Sequence, residues 1–250
     1  MTNNTVKFTT ADGIARVVLN RPERKNAING DVLKSLAEAL NSAKNDESTK
    51  VVMLSGECGN FSSGMDINAS FGENSRQDFN ECMEALINFD KPLIAVVEGI
   101  AIGGGATLSF HADMIYVSDN LRMRLPFVSL GVVPEFASSY LLQTNIGQRR
   151  AAEIMYTAEW IDAAKAYELG IATAIFPAAE VHARALEKAR QIAKWPVNAL
   201  RRTKQCNRAP HIEAMKAANQ LELKLMGQQM GSPENIEAFT AFVEKREPRF

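Results

Sequence analysis

The chain has 250 residues, 46% hydrophobic and 23% charged, with a net charge of −1. It is long enough for one sizeable core, and its near-neutral balance gives no global field for nucleic acid or an anionic membrane, so any recognition of an anion must be local. Three cysteines, Cys58, Cys82 and Cys206, are too few and too scattered for a disulfide framework or a zinc site, and they fit a reducing compartment.

The opening stretch MTNNTVKFTTADG is polar, without the apolar core of a secretion signal. A strand is predicted at Ile14–Leu19. Asp31 to Lys44 then places Val32, Leu33, Leu36, Ala37 and Leu40 on one helical face. Val51–Leu54 reads as the next strand. Gln77 to Phe89 repeats the helical scheme with Phe79, Met83, Leu86 and Ile87. Strands at Leu93–Val97 and Met114–Val117 follow, and no apolar run is long enough for a membrane span. This alternation predicts α/β architecture with mainly parallel strands. The pattern changes near Trp195: residues 196–250 read as helical, with Pro196 and Pro233 at helix starts, where proline is tolerated. Met215, Leu221, Leu225, Met226 and Met230 read as core or interface packing rather than ligand contacts. The closing EKREPRF has neither a peroxisomal tripeptide nor a prenylation cysteine, so the expected location is cytoplasmic.

Two segments could carry chemistry. Gly103, Gly104 and Gly105 follow a strand and precede a helical pattern. Such a turn offers unpaired N–H groups to an anion or oxyanion, although a glycine turn that only solves a packing problem looks the same. A dinucleotide fingerprint fails because its third glycine would be Leu108, and no phosphate-binding lysine motif follows. The second segment, Phe61-Ser62-Ser63-Gly64-Met65-Asp66-Ile67, reads alone as a loop with one glycine.

Together, Arg21-Pro22 with Asn26-Ala27, then FSSGMDI, KPLIAVVEGIAIGGGATLS and ADMIYVS resemble the crotonase superfamily, the enoyl-CoA hydratase/isomerase family, over essentially the whole chain. The resemblance implies a spiral of β-β-α repeats over residues 1–195. It implies a helical C-terminal region, residues 196–250, used to assemble a homotrimer or dimer of trimers. It also implies an acyl-CoA thioester substrate, with no metal and no separate cofactor, since CoA is part of the substrate. By motif position, the backbone N–H groups of Met65 and Gly104 would form the oxyanion hole. Two fixed donors aimed at a developing enolate contribute roughly 2.7–4 kcal/mol each in comparable sites. Lys25 and Ala27 would lie along the CoA nucleotide and pantetheine, while Ser63, Asp66, Ile67 and Phe127 would help shape the pocket. A solvated turn lysine accounts equally for Lys25.

The reaction depends on side chains. Hydratases of this family use two glutamates, and the matching positions here hold Thr107 and Phe127. Neither can activate water or protonate carbon. Glu135 remains, in a segment PF-x-x-LG-x-x-PE-x-x-SSY that is similar to peroxisomal-type Δ3,Δ2-enoyl-CoA isomerases, in which this glutamate is the base. A Pro-Glu pair at a helix start is also common for structural reasons. The expectation is an isomerase with Glu135 as base. An atypical hydratase, another enolate-forming CoA enzyme and a non-catalytic acyl-CoA-binding protein are the alternatives. His111 reads as a packed helix histidine, Asp113 as a partner of local backbone and Asp162 as a helix cap. Arg201, Arg202, Lys204 and Arg208 read as a solvated basic face or a contact to a CoA phosphate.

Overall fold

The computed structural model describes residues 4–67, 69 and 75–250. The chain opens with an antiparallel pair, β1 (Val6–Ala11) and β2 (Ile14–Leu19). Helix α1 (Gly30–Asn45) crosses to β3 (Val51–Gly56), which pairs parallel with β2. The Asn29 side chain accepts the Val32 N–H, with Asp31 in the first turn and Lys44 in the last, so both ends of α1 suit the helix dipole. Then come α2 (Ser75–Ile87), β4 (Leu93–Val97), β5 (Ile100–Ile102), α3 (Gly104–Ser109), β6 (Met114–Ser118) and β7 (Arg122–Arg124). The chain continues through α4 (Ser138–Ile146), α5 (Gln148–Thr157), β8 (Trp160–Asp162), α6 (Ala163–Leu169), β9 (Ala174–Phe176) and α7 (Val181–Ala193). It closes with α8 (Val197–Arg208), α9 (Ile212–Gln229) and α10 (Pro233–Glu244).

The strands form a six-stranded sheet in the order β1-β2-β3-β4-β6-β9 and a three-stranded sheet in the order β5-β7-β8. β4 leads into β5 and β6 into β7, and each turn stacks parallel on the one before, β4 on β6 and β5 on β7. Ser62 bridges Ala101 in parallel, so the turn begun by β3 also reaches the second sheet. The result is a spiral of strand–strand–helix turns. β5, β7, β8 and β9 have three residues each, too short for a period-2 pattern to register in sequence.

The central strands read as unbroken apolar runs because both faces are covered. Val52, Leu54, Ala95 and Val97 join α1 and α2 in the main core. Val51, Met53, Ile94 and Val96 face the other way, against Val181, Ala185 and Ala189 of α7. The i, i+4, i+8 spacing of those α7 residues gives one narrow contact stripe. Among the described residues, no helix is long and apolar enough to cross a membrane.

The C-terminal helices are attached by polar contacts that their composition conceals. Lys204 on α8 is buried; its Nζ donates to the Lys91 carbonyl at 2.7 Å and to Asp113 Oδ2 at 2.8 Å. Asp113 also accepts the Leu93 N–H, so it serves local backbone as expected and anchors α8 besides. Arg201 pairs with Glu47 and Asp90, and Arg208 donates to the Leu86 carbonyl. The solvated-face reading is therefore corrected for Arg201, Lys204 and Arg208, whose stems lie against the ends of α2 and β4, while Arg202 is exposed and bonds Gln205 on its own helix. On α9, Met215 belongs to the core, while Leu221, Leu225 and Met230 are exposed on this chain. The inward face of α9 runs through Met215, Ala218 and Glu222, spaced three and four residues apart.

Lys204→Ala is expected to lower the free energy of unfolding in urea by about 3 kcal/mol. That is the low end for a broken buried pair, because Asp113 stays partly exposed.

Candidate functional site

The site forms where successive turns of the spiral meet. The 61–67 segment lies between the loop before α1 and the start of α3. Ile28 and Met65 form a parallel bridge: the Ile28 N–H donates to the Gly64 carbonyl and the Asp66 N–H to the Ile28 carbonyl, both at 2.8 Å. In that pattern the Met65 N–H points away from Ile28. On the other side, the Ser62 carbonyl accepts the Ile102 N–H at 3.0 Å. Gly64, at φ +92°, sits so close to the Ile102 carbonyl that a Cβ would lie 2.6 Å from its oxygen.

The start of α3 is just as crowded. A Cβ on Gly105 would lie 2.6 Å from the Ser62 carbonyl oxygen and 2.7 Å from its Cβ. A Cβ on Gly104 would lie 2.6 Å from Glu135 Oε1 and 3.4 Å from Met65 Sδ. Met65, Gly104 and Glu135 therefore converge on one point. Gly104 is the first residue of α3, where N–H groups lack helical partners, and its N–H lies beside the Glu135 carboxylate, where it favours the charged form.

The loop before α1 is held by its own side chains. Arg21 donates to the Ala27 carbonyl at 2.7 Å and to Asp66 Oδ2 at 2.9 Å. Asn26, buried at φ +56°, accepts the Arg21 N–H and donates to the Glu57 and Asn60 carbonyls. Ser62 Oγ donates to the Asn26 carbonyl, and Ser63 Oγ to that of Arg24. Asp66 is thus an anchor for this loop, Ala27 is buried beside it, and Lys25 and Ile67 are exposed at its rim. Thr107 is fully buried and donates to the Gly103 carbonyl, and Phe127 is buried in the main core. His111 is packed, as expected, although it lies just beyond α3. Asp162 caps α6 by accepting the Lys165 N–H.

Glu135 lies in the β7–α4 connection, partly exposed, with Phe136 fully buried behind it. Phe136 packs on Phe79 with ring centroids 4.8 Å apart. Loss of water around the carboxylate, reinforced by the charge of Glu222, pushes Glu135 up to about 8, against a smaller opposing pull from the Gly104 N–H. Glu222, on α9, is the functional-site neighbour that sequence reading misses. It is buried, and its carboxylate accepts the Ala137 N–H at 2.7 Å and the Ser139 N–H at 2.9 Å. The available signal is its register: an acid on the stripe that Met215 and Ala218 otherwise keep apolar.

A raised carboxyl pKa costs stability at high pH. Glu135 is near 4.5 when unfolded and about 8 when folded, so its contribution is present below 4.5 and is lost as pH rises through 8. Glu135→Gln removes that loss. The two proteins are expected to melt alike near pH 5, with the variant melting higher at pH 9; parallel melting temperatures across that range would contradict the burial of this charge.

Comparison with known proteins identifies the family. The family model described as enoyl-CoA hydratase/isomerase matches residues 9–250. Enoyl-CoA delta isomerase 2 of Rattus norvegicus is 31% identical over 96% of this chain, and the chain spans 64% of that relative's length. The 2,3-dehydroadipyl-CoA hydratase of Escherichia coli K12 is 30% identical over 94% of this chain and 93% of its own. A solved enoyl-CoA hydratase/isomerase from Pseudoalteromonas atlantica superposes with a TM-score of 0.93 at 30% identity, covering 99% of this chain and 100% of that one. With its spiral fold and with the family pattern running from β1 to the last residue, this chain belongs to the enoyl-CoA hydratase/isomerase family.

Proposed function

We propose that this protein shifts the double bond of a 3-enoyl-CoA thioester into conjugation, with Glu135 as the only acid–base group. The observation that carries this reading is the placement of one carboxylate, Glu135, beside Gly104, with the Met65 side chain approaching the same residue. The thioester oxygen would accept from the Met65 and Gly104 N–H groups. Glu135 takes a proton from C2, leaving an enolate whose charge sits on that oxygen. The same carboxyl then returns the proton to C4 as the double bond moves from C3=C4 to C2=C3. No water and no second carboxylate take part, so atoms and electrons balance within the substrate.

The site also offers a way to strengthen the base at the right moment. The Gly104 N–H beside Glu135 favours its ionised form. A thioester oxygen that takes over this donor removes that stabilisation, leaving the carboxylate more basic next to the C2 proton. The phenyl rings of Phe79 and Phe136 keep the region poor in water. Ala27, Ser63, Ile67 and Phe127 would line the acyl and pantetheine path, with Lys25 at its outer end.

A hydratase reading draws support from the Escherichia coli relative. It needs a second carboxylate, and Glu222 is the acid whose charge acts on Glu135. Both Glu222 oxygens accept backbone N–H groups, which leaves them poorly placed to activate water. Incubation with a 2-enoyl-CoA and assay for the 3-hydroxy product tests that reading; efficient hydration would replace the isomerase assignment.

Glu135→Gln is expected to lower isomerisation turnover by about 10²–10⁴-fold while acyl-CoA binding persists. In the wild type, kcat/KM should rise as pH increases through about 8, because the carboxylate is the active form. Unchanged turnover in the variant would overturn the assignment.

A further inference from the structure

The chain on either side of Glu135 is not held by its own turn of the spiral. Phe136 and Ala137 follow the glutamate with φ of +59° and +55°, in the left-handed region that non-glycine residues seldom occupy. Two successive residues there store strain that the surroundings must hold in place. Helix α4 then begins at Ser138, and its N-cap residue, Ala137, has no side chain to cap it. The missing acceptor comes from about 85 residues away: Glu222 takes the Ala137 and Ser139 N–H groups. The Phe136 carbonyl accepts from His111 Nε2 at 2.8 Å, and burial keeps His111 neutral. Before the glutamate, Asn235 of α10 donates to the Leu130 carbonyl at 2.8 Å and packs on Gly131. The Glu135 loop is thus gripped on both sides by the C-terminal helices.

Resting on the isomerase reading above, we propose that Glu222 is a positioning residue for this reaction: from α9 it caps α4, holds the strained Phe136–Ala137 turn, and thereby aims the Glu135 carboxyl at Gly104. It does not touch the substrate. Its charge has a second effect, keeping Glu135 a stronger base than its surroundings alone would make it. Several charged or titratable groups on the packed elements have partners of their own. Tyr140 on α4 bonds His211, which directly precedes α9; Lys204 on α8 pairs with Asp113, and Arg208 bonds Leu86 and Met215. An acid capping two N–H groups at a helix start is electrostatically favoured there, which makes up for part of its burial. The arrangement explains why a buried acid occupies the apolar stripe of α9.

The test compares Glu222→Gln, Glu222→Asp and Glu135→Gln with the wild type. In E222Q, kcat for 3-enoyl-CoA isomerisation should fall by about tenfold or more with KM within about twofold. The acid limb of kcat/KM should move to lower pH by about one unit, since a neighbouring negative charge is gone. E222D keeps the charge at shorter reach, so it should lose kcat with the limb unmoved. Independently of turnover, amide hydrogen exchange across residues 136–139 should speed up in E222Q. Should E222Q not fold, E222D and its exchange carry the test. Wild-type kcat in either variant, an unmoved acid limb in E222Q, or unchanged exchange at 136–139 would overturn the positioning role. Turnover that survives in E135Q would instead overturn the isomerase reading, and the exchange result would still judge Glu222.

Discussion

The rest of this site depends on one close approach of backbone to backbone. The 62–65 segment and the first residues of α3 lie so near each other that Gly64, Gly104 and Gly105 each have another residue's atom where a Cβ would be. For Gly64 and Gly105 that atom is a backbone oxygen, which cannot step aside. The approach follows from the spiral. β3 and β4 are parallel neighbours in the large sheet, and Ser62 continues the pairing onto Ala101 in the small one. Two layers of parallel pairing place the exit of one turn beside the helix start of the next. The same approach brings the Met65 side chain up against Gly104 at the start of α3.

Around that contact, buried polar groups connect pieces of chain far apart in sequence. Arg21 joins Ala27 to Asp66, and Asn26 joins its loop to Glu57 and Asn60. Lys91, completely buried, donates to the carbonyls of Ala43 and Asp46 at the end of α1, and its own carbonyl accepts from Lys204. Each is costly to leave unpaired, since a buried donor or ion without a partner loses its full hydration. Their contribution is therefore mainly specificity: shifting one loop leaves several charged or amide groups without partners at once.

Glu135 runs against the general economy of the fold. Its carboxyl sits where ionisation is disfavoured, beside another acid and just before two residues in a strained backbone region. A protein selected for stability alone would have a glutamine there and a glycine at Ala137. The α9 and α10 contacts offset that strain, so the C-terminal helices belong to the same structural unit as the glutamate they surround. This fits the placement of strain at sites where geometry has to be held against relaxation.

Much was legible from the chain alone. Apolar runs at 14–19, 51–54, 93–97 and 114–117 identified the buried parallel strands, because a strand covered on both faces leaves an unbroken apolar stretch. Amphipathic spacing identified α1 and α2, and the ordered glycine and FSSGMDI motifs identified the family. The sequence could not place the three-residue strands β5, β7, β8 and β9, which are too short to show a period and exist only through their neighbours' hydrogen bonds. Nor could it show that Lys204 is buried, because a lysine's surroundings depend on which distant aspartate meets it. Glu222 is the sharpest instance. Its local sequence says surface acid, and only the docking of α9 against α4 turns it into a helix cap for residues some 85 positions earlier. Sequence by itself determined which backbone groups could approach closely, since only glycine permits it. Tertiary structure decided which charges would be brought together around them, because burial and electrostatic coupling arise only when separate elements pack.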